Sequence, residues 1–136
     1  MKLRFALPVV LALVGASVAV ASAADLPPIK ITAVSTDATY GTEKNPVKTG
    51  GALSGVPRED AYLALLRGPN GESVTTVREG SCCSFQTPNG IIGGMGLLDV
   101  YKVTIDGGAT HKIYVDMYDY EAPIMAPVGF TFAEPQ

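Results

Sequence analysis

Hydrophobic and polar positions follow two different rhythms along this chain. From Phe5 to Val20 apolar and small residues run almost without interruption, whereas beyond Asp25 they alternate with polar residues in short stretches punctuated by Gly, Pro and Asn. Alternation with a period of two marks a strand with one face buried. Ile29 to Val34 carries it, with Ile29, Ile31 and Ala33 against Lys30, Thr32 and Val34, and reads as a strand that opens the sheet. Tyr40 to Pro46 reads as a loop, and Gly50-Gly51, Gly55 and Pro57 as a glycine-punctuated connection. Arg58 to Arg67 fits a short helix through Tyr62, Leu63, Leu65 and Leu66, although a strand between turns is also compatible with it. Gly68-Pro69-Asn70-Gly71 is a turn, and Thr75 to Arg78 follows as a strand.

The cleanest alternation lies between Leu97 and Ile105, with Asp99, Tyr101, Val103 and Ile105 on one side and Leu98, Val100, Lys102 and Thr104 on the other. Asp106-Gly107-Gly108 is a hairpin turn, so Thr110 to Tyr118 returns as the partner strand. Pro123 and Pro127 interrupt the end of the chain, and Val128 to Phe132 forms a short edge strand. These elements predict a mainly β protein: a single small antiparallel sheet or sandwich-like domain with at most one or two short helices.

The first rhythm changes where that domain works. Lys2 and Arg4 precede the apolar run and Ala21-Ser22-Ala23 closes it, the arrangement of a cleavable signal peptide over residues 1–23, with a second possible site after Ala19-Val20-Ala21. Residues 24–136 are then one exported β-rich domain, periplasmic or secreted and without a membrane anchor. Loss of Lys2 and Arg4 takes the net charge from -3 to -5. Nucleic-acid binders normally carry the opposite sign, so no nucleic-acid partner is expected.

Export also bears on Cys82 and Cys83, the two cysteines of the chain, adjacent in Gly80-Ser81-Cys82-Cys83-Ser84-Phe85. Three states compete for them: two structural thiols, a vicinal or intermolecular disulfide, or a thiolate pair for a metal or catalysis. A soft-metal site for copper or zinc would recruit His111 or one of Met95, Met117 and Met125, with His111 and Met117 the candidate ligands; no cofactor is otherwise expected. Asp116, Asp119 and Glu121, interleaved with Tyr118 and Tyr120, form an acidic-aromatic cluster that suits acid/base work or a hard cation. Gly90 to Gly96 is glycine-rich but precedes a strand and lacks a following Lys-Ser/Thr, so it reads as a tight loop and not a phosphate cradle. Ser81 and Ser84 lie in no Gly-x-Ser-x-Gly elbow.

The segments Tyr40-Gly41-Thr42, Lys44-Asn45-Pro46-Val47-Lys48 with Gly50-Gly51, Tyr62-Leu63 through Leu66-Arg67-Gly68-Pro69-Asn70-Gly71, Gly80-Ser81-Cys82-Cys83, Gly96-Leu97-Leu98-Asp99-Val100-Tyr101 and Tyr114-Val115-Asp116-Met117-Tyr118-Asp119-Tyr120 carry a resemblance. Through them the chain resembles a family of small exported bacterial proteins of unknown function. Some members bear the label 2-dehydro-3-deoxyphosphooctonate aldolase, an enzyme built on a (β/α)8 barrel of roughly 200 residues or more, which this shorter β-rich chain does not accommodate. The resemblance implies no catalytic residues. The expectation is a non-enzymatic accessory domain binding a protein or small ligand by its sheet face or the Cys82-Cys83 loop. The alternative is a thiol redox or soft-metal protein, with an acidic enzyme site at Asp116 and Asp119 third.

Overall fold

The computed structural model describes residue 15 and residues 25–135; the export signal read at 1–23 lies, Gly15 apart, outside the described residues. Along the chain come β1 (Val47–Lys48), α1 (Pro57–Leu65), β2 (Leu66–Arg67), β3 (Val74–Gln86), β4 (Met95–Ile105), β5 (Thr110–Asp116) and β6 (Thr131–Phe132). The main sheet has the order β1-β5-β4-β3, and β2 pairs with β6 in a second, two-stranded sheet. The protein is thus mainly β with one α-helix. The main sheet is antiparallel except at its edge, where β1 runs parallel to β5.

Local chemistry sets these elements. Ile105 N donates to Ala109 O at 3.0 Å across the β4–β5 turn, where Gly107 adopts φ 69° without the steric cost a side chain would bring. Pro57 starts α1 at a position whose N–H would have no helical partner. The helix stops where Leu66 turns extended to pair with Phe132. Gly71 N bonds to Gly68 O at 3.0 Å, closing the expected turn into β3.

Three expectations need correction. Ile29 to Val34 opens no sheet: Ile29 and Ile31 are buried as the alternation required, but Ala33, expected on the same face, is exposed, and the segment makes only a bridge from Val34 to Ala126. Alternation reports which face is buried, and an extended segment docked on a core satisfies it without a strand partner. Beyond Thr75 to Arg78, β3 continues through both cysteines to Gln86, because two irregularities absorb the breaks in its pattern. Of Val128 to Phe132 only Thr131–Phe132 is a strand, and it pairs with β2 away from the main sheet.

The core lies between the inner face of the sheet and α1. Tyr62, Leu63 and Leu66 from the helix region meet Tyr101, Val103, Ile105, Ile113 and Val115 from the sheet, and Ile29, Ile31, Ile124 and Phe130 close the rim. Tyr62 is fully buried, yet its hydroxyl donates to Met125 O at 2.9 Å, so no polar atom is stranded there.

Ile113 is 1 % exposed while Val77 on edge strand β3 is 52 % exposed. Ile113→Ala is therefore expected to destabilise by about 2–5 kcal/mol, and Val77→Ala by less than about 0.5 kcal/mol. Urea unfolding followed by circular dichroism checks both.

Candidate functional site

β3 is the outer edge of the main sheet, and its register on β4 slips twice. Arg78 faces Tyr101 but Gly80 faces Val100, so Glu79 is extra; Cys82 faces Leu98 but Ser84 faces Leu97, so Cys83 is extra. Each added residue reverses which face the following side chains take. Between the two bulges, Ser81 shares the inner face with Asp99, and Cys82 shares the outer face with Leu98.

Cys82 and Cys83 are joined in a vicinal disulfide with Cα atoms 3.7 Å apart. That resolves the three competing states in favour of the disulfide within one chain, and leaves no free thiolate among the described residues to hold a metal. Cys83 is the one non-glycine residue with positive φ, 58°, among the described residues. The left-handed region costs a side-chain-bearing residue about 1–2 kcal/mol. Both cysteines are half-buried and line an open cavity of about 330 Å³ with Val100, Tyr114, Glu79 and Lys112. Lys112 Nζ stands 3.6 Å from Glu79 Oε2, so the cavity has an apolar floor and a charged rim.

Behind the ring, on the inner face, lies a polar network that sequence reasoning did not assemble. Arg78 reaches Asp99 with Nη2 at 2.7 Å and Nε at 3.3 Å, and Ser81 Oγ donates to the same carboxylate at 2.6 Å. Asp99 is buried, and from the helix side it meets the fully buried Glu59. Tyr101 Oη donates to Glu59 Oε2 at 2.6 Å. Burial pushes the Glu59 carboxyl up to about 8, and the neighbouring Asp99 charge adds to that against the opposing Tyr101 bond. Glu59 is therefore protonated at neutral pH. Its Oε1 is buried without a hydrogen-bond partner, which a protonated carboxyl tolerates better than a charged one.

The signal for this network was in the sequence. Asp99 occupies an inward position of the β4 alternation, and Glu59 precedes Tyr62, Leu63 and Leu66 at helical spacing. Arg78 and Ser81 could be added only once the register was known.

The acidic cluster divides. Asp116, buried, accepts Tyr118 N at 2.8 Å and Asp119 N at 3.0 Å through Oδ1. Burial pushes its carboxyl up to about 7. Burial also pushes Asp119 upward, but hydrogen bonds from Thr87, Asn89 and Asp116 outweigh it and hold Asp119 below the ordinary value. Asp119 therefore ionises first and Asp116 keeps its proton up to about pH 7. Glu121 turns away to Lys48, 2.9 Å distant. Thr87 Oγ1 and Asn89 Nδ2 both donate to Asp119, so this pair fastens the 87–94 loop to the end of β5.

His111 is not brought to the cysteines. It faces Val103 whereas Cys82 faces Leu98, five residues apart on β4, or about 17 Å. Its ring lies edge-on against Phe130 at 5.0 Å. Met117 is half-buried beyond β5, Met95 opens β4, and Met125 contributes only its backbone to Tyr62 and Tyr40. Among the described residues no three His, Cys, Asp or Glu side chains converge as a metal site would require. No known protein family, curated protein or solved structure matches the chain.

Glu59 and Asp116 hold their protons in the native state to about 8 and about 7, against ordinary values of 4.5 and 3.8. The folded protein therefore binds more protons than the unfolded chain at intermediate pH. The associated stability is complete below the ordinary values and lost as pH rises through 7 to 8. Urea midpoints are expected to fall from pH 5 to about pH 8 and to level off above it. Glu59→Gln keeps an acceptor for Tyr101 and does not titrate, so it should flatten the alkaline part of that decline.

Proposed function

We propose that the protein is an exported accessory domain that binds a partner or small ligand, without turnover, on the outer sheet face around Cys82 and Cys83. The observation that carries this is the half-buried sulfur ring at the floor of an open cavity, beside Val100 and Tyr114 and under the Glu79–Lys112 rim. An apolar floor supplies contact area, and a few polar groups at the edge orient what lands on it. The carboxyl pairs, in contrast, are turned into the protein's own hydrogen bonds: Asp99 to Arg78 and Ser81, Asp119 to Thr87 and Asn89. That arrangement supports a structural role for the acids and a recognition role for the ring.

A second reading, thiol–disulfide exchange, is favoured by the partial exposure of both cysteines and by Lys112 in the same cavity, since a nearby ammonium stabilises a thiolate. In that reading the ring is a working couple that accepts two electrons from a dithiol.

Screening a mixed library of short peptides and saccharides by NMR is expected to move resonances of Val100, Lys112 and Tyr114 together. Tyr114→Ala should then weaken the best binder about tenfold, equivalent to about 1.4 kcal/mol. Binding that maps elsewhere overturns the proposal, as does substrate turnover abolished by Cys82→Ala or Cys83→Ala. For the exchange reading, protein equilibrated against graded glutathione mixtures, then alkylated and weighed, should pass from disulfide to dithiol within the range of exported redox couples; a ring that stays oxidised throughout excludes it.

A further inference from the structure

The bulge at Cys83 does more than carry a sulfur. Because Cys83 is an extra residue on β3, it decides which way the following residues face. With the bulge present, Phe85 faces Gly96 and lies edge-on to Tyr118, with ring centres 6.0 Å apart. Gly96 is what permits this crossing: a Cβ there would come within 2.8 Å of the Tyr118 ring and 3.0 Å of Phe85. Remove the bulge, and Cys83 pairs with Leu97, Ser84 takes the position opposite Gly96, and Phe85 moves one place along to the opposite face.

Cys83 occupies the left-handed region as the second residue of the ring, at φ 58°. A cysteine freed from the ring has no covalent reason to remain there, and an ordinary extended pairing is open to it. The rest of β3 is held independently, since Ser81 is fixed to Asp99 on the near side of the bulge. Any rearrangement is therefore confined to the far side, which leads into Thr87 and the 87–94 loop.

We propose that the Cys82–Cys83 disulfide is a redox-operated latch: reduction by a dithiol removes the bulge, slips Ser84 to Gln86 by one residue on β4, and releases Phe85 from Tyr118. The chemistry is an exchange. One thiolate of the reductant attacks a ring sulfur, forming a mixed disulfide and expelling the other cysteine as a thiolate, which takes up the proton the reductant lost. The reductant's second thiol then displaces the remaining cysteine and is itself oxidised to a disulfide. Two electrons and two hydrogens pass from the reductant to Cys82 and Cys83. The latch rests on the binding reading only for what it controls, namely the shape of the outer face, and operates on the protein without any ligand.

The test is hydrogen exchange on the mature protein, oxidised and after reduction with dithiothreitol. Reduction is expected to speed exchange at Phe85 and Thr87 by at least tenfold while leaving Lys102 and Val103 unchanged. Two variants that cannot form the ring separate backbone preference from loss of the bond itself. Cys83→Gly, at ease at φ 58°, should keep the slow exchange of the oxidised protein, and Cys83→Ala should match the reduced one. Unchanged exchange on reduction overturns the latch, as does slow exchange in both the glycine and the alanine variants. A failed ligand screen would leave these exchange results intact, so the two proposals fail separately.

Discussion

The carboxylate of Asp99 is the point on which the architecture turns. It sits on the inner face of the central strand β4, at a position the alternation reserves for apolar side chains, and holds three elements together. Arg78 and Ser81 bind it from the edge strand, and Glu59 meets it from the helix. A lone buried carboxylate would be costly, and the arrangement answers that cost twice. The Arg78 fork and the Ser81 hydroxyl satisfy the charge, and Glu59, holding its proton, brings no second charge into the core.

Its position matters as much as its energy. Arg78 and Ser81 lie on either side of the first bulge, so one carboxylate grips β3 before and after its first register slip. Glycine at position 80, with φ 131°, lets the strand make that slip at low cost. The outcome is that Cys82 must point outward. The sulfur ring is exposed on one face because a buried acid is satisfied on the other.

This also explains what the sequence could and could not disclose. The β4–β5 hairpin was legible because alternation and a glycine turn both act locally, and neither depends on a distant partner. The helix was legible from Tyr62, Leu63 and Leu66 once Leu66 is read as its last inward residue. Ile29 and Ile31 were correctly inward but wrongly in a strand, since burial of a face and possession of a hydrogen-bonding partner are different facts. β3 was hardest: Thr75 to Arg78 follows one alternation, and each bulge resets it, so no single period runs through Val74–Gln86. The cysteines were visible as a pair, but their place on a strand depended on that hidden register. His111 and Met117 drew notice as residue types, whereas Asp99 drew none as an ordinary acid, although its inward position was the stronger signal.

Two proton-holding acid pairs now bracket the ring, and they are not equivalent. Glu59 and Asp99 lie under the near side, in a core whose neighbours are strand and helix; Asp116 and Asp119 lie past the far side, with Thr87 and Asn89 from the loop as their partners. Disturbing the first pair loosens the sheet–helix packing on which the whole domain depends. Disturbing the second loosens only the fastening of the 87–94 loop to the end of β5. The segment between Cys83 and Thr87 is therefore attached firmly at one end and adjustably at the other. A change at the ring is transmitted toward the loop and away from the core, because the Ser81–Asp99 bond blocks the other direction. A small domain can in this way carry a movable edge on a sheet whose central hairpin stays fixed.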